Sequence, residues 1–261
     1  MRDFDYSRPA TLADAAAAFA NGGEAAFIAG GHTLLPAIKS RLRMPDTIID
    51  LSAIPGLVGV AQDADTLWVG AMTTHAAVAL EAGAIPGLVQ MAAQIGDPQV
   101  RNRGTIGGVI ANNDPSADYP AALVALDATV ETDRASYAAD DFFQGMFSTA
   151  LADGEIVTRI GFKIPQASAY AKFRNPASRY AVAGVFVARF GSAVRVAVTG
   201  AGPAVFRWPE AEAALSADFK HAAVAGLRLD DSDLTTDIHA SAEFRAHLVG
   251  VMLAKAITDA R

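Results

Sequence analysis

The sequence predicts an α+β protein in two parts, and three features predict it. Strand and helix signals alternate through roughly the first 50 residues, in the manner of a small βαβ unit. A hairpin pattern follows, in which residues 57–61 and 66–71 alternate around Asp63, Ala64 and Asp65. Beyond Pro165 the chain reads as successive strands that close on helices, so a boundary is expected near Pro165 to Ser168.

Each element has a local cause. Thr11 stands at an N-cap position with Asp14 three residues on, an alanine-rich run follows, and Asn21-Gly22-Gly23 stops it. Residues 25–29 form a short buried strand. Gly30 and Gly31 turn the chain into a helix over 34–42, with Pro36 in its first turn and Lys39, Arg41 and Arg43 at its end. Residues 47–51 make the next strand. After the hairpin, helices are expected over 74–81, 86–95 and 119–126, with residues 96–114 irregular. Strands are expected over 129–132 and 155–164, then 169–174, 181–190 and 194–199, with helices over 209–215 and 240–257. In the last helix Phe244, Leu248, Val251 and Met252 fall on one face, which is expected to pack on a sheet. This divides the chain into 1–166, itself split at about residue 55, and 167–261.

Composition narrows the chemistry. The 261 residues are 52% hydrophobic, enough for a sizeable core. There is no cysteine, so the chain carries no disulfide, no thiol nucleophile and no thiolate-held cluster, and any such cluster belongs to a partner. A net charge of −7 argues against nucleic acid, whose phosphates call for a concentrated cationic surface. The N-terminus lacks a basic segment followed by an apolar run, and no apolar stretch reaches about 18 residues, so a cytoplasmic protein without a transmembrane segment is expected.

Two glycine-rich turns carry the functional signal. The first runs Ala29-Gly30-Gly31-His32-Thr33-Leu34, the second Thr105-Ile106-Gly107-Gly108. Each brings a hydroxyl and is expected to bring free backbone N–H groups, so together they could close on the two phosphates of a dinucleotide. Read blandly, the first is a tight turn chosen for positive φ and the second part of a solvated loop. Neither matches the G-x-G-x-x-G fingerprint, so phosphate binding here is of another design. Polar residues crowd the second turn, and Asp118 suits the paired donors of a ribose diol. Lys172, Arg174, Arg179 and Tyr180 form a cluster that reads either as a charged strand edge or as groups facing a flavin. His75, His221, His239 and His247 show no metal-ligand spacing, and His75 reads as a helix-start residue. No G-x-S-x-G elbow or Ser-His-Asp grouping suggests acyl transfer.

The strings AGGHTLLP at 29–36, VRNRGTIGGVIANNDPSADYPAALVALDA at 100–128 and EIVTRIGFKIP at 155–165 together resemble the FAD-binding medium subunit of molybdenum hydroxylases, the xanthine dehydrogenase and carbon monoxide dehydrogenase family. The resemblance covers nearly the whole chain. It implies a PCMH-type, vanillyl-alcohol-oxidase-like FAD fold of two subdomains, followed by a smaller α/β domain with an antiparallel sheet, like the C-terminal domain of carbon monoxide dehydrogenase flavoproteins. By this resemblance residues 29–34 form one pyrophosphate loop, and Thr105, Ile106, Gly107 and Gly108 the other. Asp118 would hold the ADP ribose, Ile95 and Val157 would pack near the cofactor, and Lys172 and Tyr180 would approach the flavin. The family usually has Asn after TIGG; here Val109 stands there, so one polar contact is lost or supplied by Asn112. The resemblance further implies noncovalent FAD and no catalytic or metal-ligating residue in this chain. The molybdenum cofactor and [2Fe-2S] clusters would sit in a large and a small partner subunit, in a heterotrimer that doubles, with electrons leaving through FAD to a small-molecule acceptor. Two alternatives are a free-standing flavoenzyme of the same fold and a cofactor-free scaffold subunit.

Overall fold

The computed structural model describes residues 2–261. The chain opens with β1 (Asp5–Ser7), α1 (Leu12–Asn21), β2 (Ala25–Ile28), α2 (Leu34–Lys39) and β3 (Thr47–Asp50). The three strands make a parallel sheet in the order β1-β3-β2. Thr11 caps α1 by accepting the Asp14 amide at 3.0 Å. The expected helix over 34–42 ends at Lys39. The Ser40 amide and hydroxyl both return to the Pro36 carbonyl, at 2.9 and 2.8 Å, and Arg41 adopts a left-handed φ of 60°. A small core of Ala15, Ile49, Leu51, Ile54, Leu57, Met72 and Ile156 lies beneath this unit.

Next come β4 (Val60–Asp63), β5 (Thr66–Gly70), α3 (His75–Glu81), α4 (Pro86–Ala93), α5 (Pro98–Arg103), α6 (Ile106–Asn112) and α7 (Tyr119–Ala125). β4 starts later than the expected residue 57, because Gly59, at φ 126°, donates its amide to the Thr73 hydroxyl at 2.9 Å rather than entering the ladder. The stretch expected to be irregular holds two helices. Asp97 caps α5 through the Val100 amide at 2.9 Å, and Thr105 caps α6 through the Gly108 amide at 3.3 Å. At six and seven residues, neither is long enough to print a helical period on the sequence.

The chain continues with β6 (Thr129–Thr132), β7 (Ser136–Ala138), α8 (Ala139–Phe142), β8 (Phe143–Gly145), β9 (Ser148–Thr149) and β10 (Val157–Lys163). The second sheet is antiparallel, ordered β4-β5-β10-β6-β7, with Ile160 of the central strand opposite Val69 on one side and Val130 on the other. All seven residues of α7 are buried.

The chain leaves this sheet at Lys163 and enters another at Ala167. β11 (Ala167–Arg174), β12 (Ala181–Phe190), β13 (Ala193–Thr199) and β14 (Phe206–Arg207) form an antiparallel meander, followed by α9 (Pro209–Ala217), α10 (His221–Val224) and α11 (Ala242–Asp259). α11 packs on β11 and β12 as expected, but through a face rotated from the expected one, which keeps Leu248 and Met252 and leaves out Phe244 and Val251. Phe244 and Val251 are 45% and 44% exposed, whereas Arg245, Leu248, Val249, Met252, Leu253, Ala256 and Ile257 are buried. The helix is turned so that the Arg245 guanidinium donates to the carbonyls of Val182 and Gly200, each at 2.7 Å. The same guanidinium pairs with Asp237 Oδ2 at 2.8 Å, while its Nε is left without a partner.

The last two sheets share a core. Tyr170, Phe186, Ala188 and Ala197 of the meander join the cluster that covers β5, β10 and α7. α4 packs so closely on β11 that a Cβ on Gly87 would lie 2.8 Å from Phe186 and 2.9 Å from the Ala169 nitrogen.

Candidate functional site

Between the parallel sheet, the five-stranded sheet and the β11–β12 turn runs a cleft of about 1080 Å³, at or above the upper end of the roughly 300–1,000 Å³ usual for small-molecule pockets. One wall is the turn between β2 and α2. Ala29, Gly30, Gly31, His32, Thr33 and Leu34 all line it. Gly31 has φ 76°, a conformation that glycine adopts without strain. Among the described residues, none of the backbone N–H groups of Gly30, Gly31, His32, Thr33 and Leu34 has a hydrogen-bond partner within the protein. Five successive unpaired donors on a concave wall form a nest for an anion.

The second glycine turn faces the first across a contact with no room to spare. A Cβ on Gly30 would lie 2.1 Å from the Arg103 carbonyl oxygen and 2.8 Å from Gly104 Cα. Thr105, Gly107, Gly108 and Asn112 line this wall, together with Val109. The expectation that both turns offer free amides holds from Gly30 to Leu34 in the first; in the second it holds for Thr105 alone, whose amide has no partner among the described residues. The Ile106 amide donates to Thr73 O at 3.1 Å, Gly107 to Ala71 O at 2.8 Å, and Gly108 to the Thr105 hydroxyl oxygen. The second turn therefore contributes the Thr105 amide and hydroxyl protons and close approach. A Cβ on Gly107 would stand 2.6 Å from Ala71 Cβ, whereas one on Gly108 would meet nothing nearer than 3.0 Å. Gly107 is small for the sake of β5, and Gly108 is small toward the cleft.

Asp118, Ile95, Val157 and Tyr180 line the cleft, but Ile106 and Lys172 do not. Ile106 is fully buried in the core behind its turn. Lys172 lies on the edge strand β11, but its side chain is buried, and its Nζ lies 2.8 Å from Asp118 Oδ2 and 3.1 Å from Oδ1. Tyr170 donates its hydroxyl to the same Oδ1. Burial pushes the Asp118 carboxyl up, and the Lys172 charge and the two donors partly offset this. With roughly four lone-pair positions on a carboxylate, Asp118 keeps at least one acceptor position on Oδ2 for a ligand hydroxyl. Lys172 acts on the cleft only through Asp118. Arg179 reaches over from the β11–β12 turn to donate to Gly96 O at 3.1 Å, tying the meander to the rim.

Glu155 and His75 are among the lining residues that carry no signal in the sequence. Glu155 accepts from the Thr132 hydroxyl at 2.5 Å, from Tyr137 at 3.1 Å and from the Ala152 amide at 2.8 Å. His75, read only as the start of a helix, is 2% exposed and lines the cleft beside Gly104. Burial, then the neighbouring His32 and Arg101, pull its imidazole down to about 4, so it is neutral at pH 7. Neither residue shows a spacing signal; Glu155 at least falls inside one of the three strings. Among the described residues no group of His, Asp or Glu could hold a metal ion, and no helix is long and apolar enough to cross a membrane.

Comparison with known proteins accords with this geometry. Residues 2–167 match the family described as FAD binding domain in molybdopterin dehydrogenase. The chain is 34% identical to the nicotine 6-hydroxylase medium subunit of Paenarthrobacter nicotinovorans, over 98% of this chain and 96% of that one. It is also 34% identical to the carbon monoxide dehydrogenase medium chain of Afipia carboxidovorans, over 99% and 96%. The crystal structure of quinoline 2-oxidoreductase from Pseudomonas putida 86 superposes with a TM-score of 0.89 at 28% identity, covering 99% of this chain and 96% of that chain.

Proposed function

This chain belongs to the FAD-binding family of molybdopterin dehydrogenases, and on that premise we propose that it is the electron-exit subunit of a molybdenum hydroxylase. It holds FAD noncovalently in the cleft between its sheets. The single observation that carries this reading is the row of five unpaired amides from Gly30 to Leu34, set against the Thr105 hydroxyl across a contact that only glycines permit. Those groups fit a diphosphate, and the volume of the cleft, about 1080 Å³, fits a dinucleotide. Bound FAD supplies the redox chemistry, accepting electrons from reduced clusters and passing them to an external acceptor.

The chain's own residues position and enclose. The first turn neutralises the diphosphate with aligned N–H dipoles, and Gly30 and Gly104 let the two walls approach. Asp118, braced by Lys172 and Tyr170, receives ribose hydroxyls. Ile95 and Val157 offer apolar surface to the ring system, and Tyr180 stands at the mouth. Having no cysteine, the chain depends on a small iron–sulfur subunit for electrons and on a large molybdenum subunit for substrate oxidation. We assign 1–166 to the FAD-binding unit and 167–261 to a C-terminal unit, which the span of the family match and the change of sheet support. The assembly is placed in the cytoplasm.

The test is the visible spectrum and metal content of the chain purified alone and with the products of its neighbouring genes. Stoichiometric FAD, with iron and molybdenum co-purifying, is expected. Gly30→Ala, which drives a methyl into the Arg103 carbonyl, is expected to lose the flavin while the secondary structure stays intact. A colourless chain that takes up no added FAD would return the scaffold reading.

A further inference from the structure

His75 has no partner inside the protein for either ring nitrogen. Nδ1 is sealed from solvent with nothing to bond to. Nε2 lies against Gly104, where a Cβ would stand 2.5 Å from it, so the missing side chain leaves that nitrogen uncovered on the cleft wall. The position is fixed by backbone. The His75 amide donates to Gly104 O at 3.0 Å, and Thr74 and Thr105 form an isolated β-bridge beside it. On the other side the ring rests on Tyr119, with centroids 5.3 Å apart.

Gly104 is also the residue that Gly30 abuts, so the unpaired amides, the Thr105 hydroxyl and His75 Nε2 converge on one stretch of the cleft. The charged or titratable groups acting on the ring are His32 from the first turn and Arg101 from α5, with the Tyr119 phenol beneath it. None of them is a carboxylate. A neutral imidazole carries one proton, and placing it on the nitrogen that has a prospective acceptor leaves only a lone pair orphaned at Nδ1.

We propose that His75 is a binding residue for the dinucleotide diphosphate, donating from Nε2 through the window left by Gly104. The proposal rests on the FAD reading above and adds a contact that neither glycine string contains. A lost hydrogen bond to a charged group corresponds to a weakening on the order of tenfold or more.

The test uses the full chain stripped of flavin, titrated with FAD and separately with ADP, and phosphorus NMR of the bound FAD. His75→Ala and His75→Asn are expected to weaken both ligands by about tenfold or more and to move the bound phosphorus resonances. His75→Gln, whose amide nitrogen reaches the place of Nε2, is expected to recover most of the affinity. Gly104→Ala, which covers Nε2 but keeps the imidazole, is expected to match His75→Ala and to cost nothing further in that background; it serves as a second variant should His75→Ala fold poorly. FAD affinity within twofold of the parent in His75→Asn and Gly104→Ala, with unmoved phosphorus resonances, would overturn the proposal. So would a loss for FAD without one for ADP. Failure of the parent chain to bind FAD would instead defeat the reading beneath it.

Discussion

At the scale of single residues, a side chain matters here through the donors it leaves free or ties up. Glu155 is the clearest case of tying up. Burial alone would raise its carboxyl, but the Thr132 hydroxyl, the Ala152 amide, the Tyr137 hydroxyl and the Arg134 charge bring it below the ordinary range. Its folded value therefore lies under its unfolded one, so its contribution is complete above the unfolded value and disappears as pH falls through the folded one. Asp127 and Asp237 are held low in the same sense. Thermal midpoints are thus expected to drop as pH falls below the ordinary carboxylate range of about 4, where the unfolded chain takes up protons before the folded one does. Glu155→Gln should lower the midpoint at pH 7, by about 1–3 kcal/mol of stability, because an amide nitrogen would have to face the Ala152 N–H or the Thr132 hydroxyl. It should also flatten the acid slope; an unchanged slope would show that Glu155 is not among the titrating groups. The glycines and hydroxyls of both turns were legible in the sequence because their spacing is unusual. His75 was not, since a histidine at a helix start has the same local sequence whether its ring faces solvent or a cleft.

At the scale of elements, α6 joins the core to the cleft. Thr105 caps it by accepting the Gly108 amide at its hydroxyl oxygen and lines the ligand wall, so the hydroxyl proton stays free. Thr105→Ala is expected to cost about 0.5–2 kcal/mol from the lost cap alone, read by urea denaturation. It should also weaken FAD. Thr105→Ser should recover both, and loss of stability with no loss of FAD would confine Thr105 to capping. The long elements were legible: β12 at residues 181–190 needs no correction, because an unbroken run of eight apolar or small residues, 181–188, has few alternatives. The short ones were not. α5 and α6 escaped notice because six or seven residues, stopped by Gly104 and by left-handed Asn113, cannot complete two turns of pattern. In α11 the pattern was present but misread, because the arginine on the buried side is not apolar and its two carbonyl partners lie far away in sequence.

At the scale of the whole molecule, the meander is bound to the cleft by charge as well as by packing. Lys172 and Tyr170 on β11 grip Asp118 at the head of α7. Lys172→Met should destabilise the chain by about 3–5 kcal/mol, because it strands a buried carboxylate, and pairing it with Asp118→Asn should restore much of the loss. Equal stabilities for the single and double variants, measured by urea denaturation, would mean that the carboxylate finds another partner or simply protonates. The union of the two halves was not visible in the sequence, whose periodicities report one element at a time. Strand order and shared burial, such as Phe186 against Gly87, are properties of residues about a hundred positions apart. The burial of α7 also bears on synthesis. All seven of its residues are covered in part by β12 and β13, which the ribosome makes later. At roughly 5–20 residues per second, the nascent chain must carry that apolar helix for several seconds before its cover exists. Those seconds are when a chaperone would find this polypeptide, and slow codons between α7 and β13 would lengthen them.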